Sequence, residues 1–572
     1  MKSFFRVVLL WGLATSAFSI DRTAFVFTNY NLDLRVEPAQ QRLGVRGKLT
    51  LRNDSAAPQK HAALQISSSL DWRSIRIAGK PVQFVSQPYT SDIDHTGLLS
   101  EAIVTLPREV PPMGTIEVEV GYEGTVPLDG SRVARMGVGE TVAKQVEWDR
   151  ISADFTAVRG IGHVTWYPVS TEAVDFSEGR TLFDTVTRWK QRHSRSGMHL
   201  RIEVPIAEGG QAPIILANAS DCKGMDVKNG ERSAVIECAY SDIGVTGPPM
   251  FLIAHWTLLL GENAAVYYLP GHESAGQAYN QIAERTAPFL RQWFGPPHSV
   301  GRVADSGSAT DVPFDGGGPL MLAPLSLSAD EVRAEITLVH TLTHATLVSS
   351  RPWISEGLAH FAQALWLDHQ SGRQAALDFM SQRIAALTDS EKTAGETDPA
   401  HPDPLVTSPD EVRYRTKAMF VWWMLRDMVG EAELRKALST YRDEDDKEPH
   451  YMLDLIQAQT KRELRWFLED WVYQDVGLPD FRVVSAYPRP TETGTYLVTV
   501  SVENLGAAGA EVPITLRFAG GEATKRLEVR GKATAVIRIE VPSTPREVVV
   551  NDGSVPESDL SNNVLTVGTT NK

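Results

Sequence analysis

His340 and His344 stand four residues apart in Glu335-Ile-Thr-Leu-Val-His340-Thr341-Leu342-Thr343-His344. One helix presents both imidazoles on one face, as zinc requires. Such a pair also serves surface or packing roles, so the next stretch, Ser350-Arg-Pro-Trp-Ile-Ser-Glu356-Gly-Leu-Ala-His360-Phe, decides the reading. Ser350 can cap a second helix, and Pro352 fits its first turn. With the turn centred between Ser350 and Arg351, His344 lies about six residues before it and Glu356 about six after. An antiparallel helix hairpin with 1.5 Å rise per residue brings Glu356 level with His344. Two imidazoles and a carboxylate then converge on one metal ion and leave its fourth position to water or substrate. His360, Asp368 and His369 follow on the same or later turns. Glu335 precedes His340 by five residues, roughly 140° around the helix, and is a poor ligand.

These residues need helices to hold them. Helical spacing runs over Gln277–Trp293, Asp330–Leu347, Arg351–Gln370, Arg373–Leu387, Val412–Met428, Ala432–Tyr441 and Lys461–Tyr473. A polar, proline-containing loop is expected from Thr388 to Asp410. Before this block, Phe25 to about Leu260 reads as strands. Tyr30-Asn-Leu-Asp-Leu-Arg-Val36, Gly47–Arg52 and Thr115–Gly121 alternate with period two. After Gly477-Leu-Pro-Asp480 strands return at Tyr496–Val502, Pro513–Phe518 and Ala535–Val541. The fold class is therefore multidomain α+β: an N-terminal β-rich part, a mainly helical middle and a C-terminal β-sandwich.

At 572 residues the chain divides into about three or four domains. Hydrophobic residues at 42% and charged residues at 22% fit a globular protein. A formal charge of −15 with no basic stripe excludes nucleic acid as a partner. Residues 1–19 carry Lys2 and Arg6 before a short apolar run that ends in Ala17-Phe18-Ser19, a cleavable export signal. An uncleaved anchor is the alternative, although the run is short for a span. No later stretch suits a transmembrane segment, so a periplasmic or extracellular location is expected. The two cysteines, Cys222 and Cys238, flank Lys228-Asn-Gly-Glu231, whose Asn-Gly favours a hairpin turn. In an oxidising compartment they form a cross-strand disulfide; otherwise they are two buried thiols.

The order of parts resembles the aminopeptidase N type of zinc peptidase, among the gluzincins, over most of the chain. Trp353-Ile-Ser-Glu356-Gly-Leu-Ala resembles that family's W-L-N-E-G-F-A. Tyr30-Asn-Leu-Asp-Leu resembles its opening strand, and Ile214-Ile-Leu-Ala-Asn218 a later strand end in the same domain. Ala283–Pro296 resembles the helix before the active-site strand, and Trp471–Phe481 the end of the catalytic domain. Tyr414-Arg-Thr-Lys417-Ala resembles Y-x-K-G, which implies a catalytic role for Tyr414. Glu557-Ser-Asp559-Leu-Ser-Asn562-Asn563 resembles the close of CARDB-type, immunoglobulin-like bacterial modules. The resemblance implies a signal peptide at 1–19, a β-rich domain at 20–262, a metallopeptidase-like domain at 263–478 and a sandwich at 479–572. It also implies one zinc on His340, His344 and Glu356, and peptides or proteins as partners.

Four departures shape the functional expectation. The family's H-E-x-x-H supplies a general base, and Thr341 stands in its place. An alcohol cannot take that proton near neutral pH, which forfeits about 10²–10⁴-fold in rate. The stretch from His344 to Glu356 is shorter than the family's. Where the family reads G-x-M-E-N, Phe314-Asp315-Gly316-Gly317-Gly318-Pro319 has no glutamate, leaving Gly316, Gly317 and Gly318 as substrate-strand candidates or a plain turn. Tyr414 is one residue out of register, with Arg415 where strict alignment puts the tyrosine. The expected protein is an exported zinc metallopeptidase with weak or lost catalysis. A non-catalytic pseudo-peptidase and a structural cell-envelope binding protein remain the alternatives.

Overall fold

Alternation in the first strand sets the architecture: over Tyr30–Val36 the apolar side chains are buried and Asn31, Asp33 and Arg35 face solvent. This strand, Phe25–Glu37, pairs antiparallel with Arg42–Asn53 and parallel with Gly197–Pro205 at the centre of an eight-stranded sheet. A three-stranded sheet of Gln59–Ser67, Leu98–Val110 and Phe84–Thr90 shares its apolar core, which includes Leu32, Leu34, Leu49, Leu64 and Ile66. The computed structural model describes residues 20–178, 181–219, 221–225, 232–308, 313–325, 331–397 and 404–567, with backbone alone at 245–246 and 394–397. The export signal and the Lys228–Glu231 turn lie outside the described residues. Cys222 and Cys238 are direct cross-strand partners with sulfurs 2.08 Å apart.

The stretch expected to be strands throughout also contains a helix, Thr181–Arg192. Its Leu182, Val186 and Trp189 recur at helical spacing and pack against the β-domain core.

The middle of the chain carries a five-stranded sheet as well as helices. Thr257–Leu260, Ala264–Tyr268, Gly301–Asp305, Leu320–Ala323 and Phe314–Asp315 lie in that order, the last an antiparallel edge. Helix Glu273–Phe294 connects Ala264–Tyr268 to Gly301–Asp305, and helices Glu331–Thr346 and Pro352–Ser371 follow the sheet. The helix expected over Arg373–Leu387 breaks into Arg373–Ser381 and Ile384–Thr397, so residues 388–397, expected in a loop, are helical. Its polar sequence reflects a solvated face; Leu387 and Ser390 are the buried side. The last helix begins at Arg465 rather than Lys461, because Thr460 and Gln457 side chains accept the Arg462 and Leu464 amides and hold a turn there.

At the C-terminus a three-stranded and a four-stranded sheet form a sandwich around Val498, Val500, Val512, Ile514 and Val548. Its core is continuous with that of the helices, and Trp471 Nε1 donates to Gly509 O at 2.7 Å across the junction. Glu557 closes the sandwich: it accepts from the Phe481 amide at 2.7 Å and from Asn551 and Asn563 side chains. Burial pushes its carboxyl up to about 7, against those hydrogen bonds. Among the described residues no helix is long and apolar enough to cross a membrane.

Candidate metal centre

Leu338, Val339, Leu342 and Ala345 bury one side of the histidine helix, Glu331–Thr346, and fix its rotation. The next helix, Pro352–Ser371, starts at Pro352 as expected, but Ser350 does not cap it. Ser349 Oγ takes the Arg351 amide at 3.1 Å, while the Ser350 amide donates to Asp443 at 2.7 Å. Trp353 stacks on Trp422 with centroids 5.0 Å apart, and Trp422 Nε1 donates to Trp353 O. Gly357 permits that approach, since a Cβ there would stand 2.6 Å from Ala418 Cβ. These contacts seat the glutamate helix on the helix Ala418–Val429, and Gln363 Nε2, donating to Ile336 O at 3.0 Å, ties it to the histidine helix.

His340 and His344 point their Nε2 atoms at one another, 3.2 Å apart. Glu356 lies 3.9 Å from His340 Nε2 and 3.8 Å from His344 Nε2. The hairpin thus brings His340, His344 and Glu356 together. A fourth group joins them that sequence reasoning missed: Asp315 Oδ2 is 3.0 Å from His340 Nε2 and 3.3 Å from His344 Nε2. Its signal in the sequence is an acidic residue just before the glycine turn. All four residues offer ligand atoms within 4.8 Å of one another. Bonds of about 2.0–2.2 Å to a tetrahedral zinc place ligand atoms about 3.3–3.6 Å apart, so this donor set fits the ion.

Burial pushes the Asp315 carboxyl up, but the charges and hydrogen bonds of His344 and His340 hold it well below the carboxylate range. Glu356 is also held down, burial being outweighed by Arg415, His344 and His340. Burial lowers His344, and the nearby Asp315 and Glu356 raise it above its ordinary value. His360 lies against His340 with ring centroids 5.0 Å apart, and burial drives it well below the usual imidazole range.

Thr341 is buried, and its hydroxyl donates back to Thr337 O at 3.3 Å. Tyr414 and Arg415 sit on a π-helical turn, Arg413–Lys417, that opens the helix Ala418–Val429. Such a turn inserts one residue into the helical register. Tyr414 packs with its hydroxyl 3.5 Å from Thr187, and Arg415 Nε donates to Glu356 at 3.0 Å. Gly316–Gly318 form the turn between the two strands of the edge hairpin, with φ of 77° at Gly317 and 55° at Gly318. Asn218 Nδ2 donates to Gly316 O at 2.7 Å and ties this turn to the β-domain. Glu335 accepts from Arg285 and Trp366, and Asp368 from Arg426. His369 stacks on Phe289. A second acidic group with a histidine, Glu147, Asp149 and His163, is neutralised by Arg132 and Arg159.

No protein-family model and no curated protein matches the sequence. Among solved structures, aminopeptidase A of Legionella pneumophila in complex with aspartic acid is similar at a TM-score of 0.61 and 12% identity. The match covers 93% of this chain and 59% of that one. An M1 zinc metallopeptidase of Deinococcus radiodurans is similar at a TM-score of 0.47 and 16% identity, over 79% of this chain and 94% of that one. In fold, the chain is peptidase-like: its β-rich, helical and C-terminal β parts follow the aminopeptidase plan.

Proposed function

We propose that the chain is an exported zinc-binding protein of aminopeptidase-like fold that engages peptides or protein segments with weak or no hydrolysis. One observation carries this reading. Two imidazoles and a helix-borne carboxylate converge, each offering a ligand atom within 4.8 Å of the others, while Thr341, next along the helix, spends its hydroxyl on the backbone of its own helix. A metal held there with a coordination position open would supply Lewis acidity to a carbonyl and lower the pKa of bound water. His340, His344 and Glu356 would hold it, and Arg415 orients Glu356 through a charge-assisted hydrogen bond. Thr341 has no proton-accepting group of suitable strength, so the chain keeps the binding parts without the base. Peptides as the ligand class follow from likeness of fold to an aminopeptidase, which is analogy. Export is supported by the composition of residues 1–19 and by the adjacent sulfurs of Cys222 and Cys238.

The test pairs hydrolysis of a broad peptide library with retention of the same library on immobilised native protein. Retention with little or no cleavage is expected. Rapid cleavage by the native chain contradicts the loss of catalysis, and no retention contradicts the peptide ligand. Intact mass of the exported protein should begin after Ser19 and lack two thiol hydrogens.

A further inference from the structure

The edge hairpin that carries Asp315 is built more firmly than a turn requires. Phe314 and Asp315 pair antiparallel with Leu322 and Met321. On the outer side, the Phe314 ring is held by Trp148, by His163 and by the Arg159 guanidinium 4.7 Å from its centroid. On the inner side, the Gly317 amide donates to Asp315 Oδ1 at 2.9 Å, the side-chain turn an aspartate makes with the residue two further on. One carboxylate oxygen is thus anchored. The other, Oδ2, is left to face both histidines at once.

A general base acting on metal-bound water has no need to touch the ligands' own nitrogens. Asp315 Oδ2 does, at 3.0 and 3.3 Å from the two Nε2 atoms. With the 3.2 Å between the histidines, these three separations lie near the edges of a tetrahedron about zinc, about 3.3–3.6 Å, while Glu356 presents Oε2 at 3.9 Å to His340 and Oε1 at 3.8 Å to His344. Hydrolytic zinc sites use three protein ligands and leave the fourth position open, whereas four protein ligands make a closed, structural site.

We propose that Asp315 is the fourth protein ligand, so that His340, His344, Glu356 and Asp315 form a closed metal centre with no position for water. This deepens the reading above and rests on it. The centre then ties the edge hairpin, the histidine helix and the glutamate helix to one another. Loss of the base at Thr341 and closure by Asp315 are two separate barriers to hydrolysis.

The experiment loads the full chain with cobalt(II) in place of zinc and follows its visible spectrum during titration with azide. The native centre is expected to show the intense bands of a four-coordinate ion and no response to azide. Asp315→Asn, which keeps the oxygen that Gly317 holds, should make the spectrum azide-sensitive. It should also weaken cobalt affinity by more than the roughly 10–100-fold typical of losing a group behind a ligand. A native spectrum that shifts with azide overturns the proposal and makes Asp315 a neighbour of an open site; this needs no variant. An unchanged affinity in Asp315→Asn overturns it as well. A native chain that binds no cobalt overturns the metal reading itself, which separates the two failures.

Discussion

Asp315 Oδ2 lies 3.0 Å from His340 Nε2, a contact between an edge-strand turn and a helix 25 residues further along. It joins the glycine turn, read in sequence as a substrate strand or a plain turn, to the helix that carries the histidines. The same carboxylate reaches His344 at 3.3 Å. On the proposed reading, Thr341 and Asp315 are two separate barriers to hydrolysis.

From this it follows that Thr341→Glu alone leaves peptide hydrolysis weak, although a base is restored beside the imidazoles. Thr341→Glu combined with Asp315→Ala opens the fourth position as well. The double variant should gain on the order of 10²-fold or more over either single variant, in turnover of a fluorogenic peptide pool. Equal activity in Thr341→Glu and the double variant would show that Asp315 blocks nothing.

Asn218 joins the β-domain to the hairpin that carries Asp315. It donates to Gly316 O and accepts from the Met250 amide at 3.0 Å and the Tyr240 hydroxyl at 2.9 Å. Asn218→Ala strands those buried groups and should cost about 1–3 kcal/mol by denaturant titration. An unchanged midpoint would show the hairpin to be held without it.

The approach of the glutamate helix to the helix Ala418–Val429 depends on Gly357. Gly357→Ala puts a methyl 2.6 Å from Ala418 Cβ and 3.1 Å from Trp422 Nε1. Overpacking there should cost about 1–3 kcal/mol, and Gly357→Ala combined with Ala418→Gly should recover part of it. Thermal melts of the three proteins decide the matter.

The histidines and Glu356 are legible in the sequence because their geometry is local. A four-residue helical step and a short hairpin are arithmetic on one stretch of chain. Asp315 is not, since it arrives through sheet pairing whose register the sequence does not reveal. Tyr414 and Arg415 are ambiguous for another reason: the π-helical turn at Arg413–Lys417 displaces the register that motif matching assumes to be constant. Strand alternation at Tyr30–Val36 identifies the first sheet, because one face is buried and the other is wet. The helix Thr181–Arg192 is missed as a short amphipathic piece amid strands, and Ile384–Thr397 because its polar face resembles a loop.

Glu557 gives the C-terminal sandwich a distinct pH response. Its carboxyl is pushed up to about 7 when folded, from an ordinary value of 4.5, by burial. Below the unfolded value both states hold the proton and the group contributes nothing to pH dependence. Between the two values only the folded state holds it, so stability falls as pH rises, by up to about 1.4 kcal/mol per pH unit. The loss is complete above about 7. Glu557→Gln cannot ionise, so the melting temperature of Glu557→Gln minus that of the native chain should rise between pH 5 and pH 8. A difference that stays flat would mean that Glu557 ionises freely in the folded sandwich.

Whether the helix hairpin holds a metal is decided by the zinc content of the purified full chain after growth with zinc. About one zinc per native chain is expected, and almost none in the His340→Ala/His344→Ala variant. A native chain without zinc, or a double variant that retains it, would show that the hairpin is not a metal site.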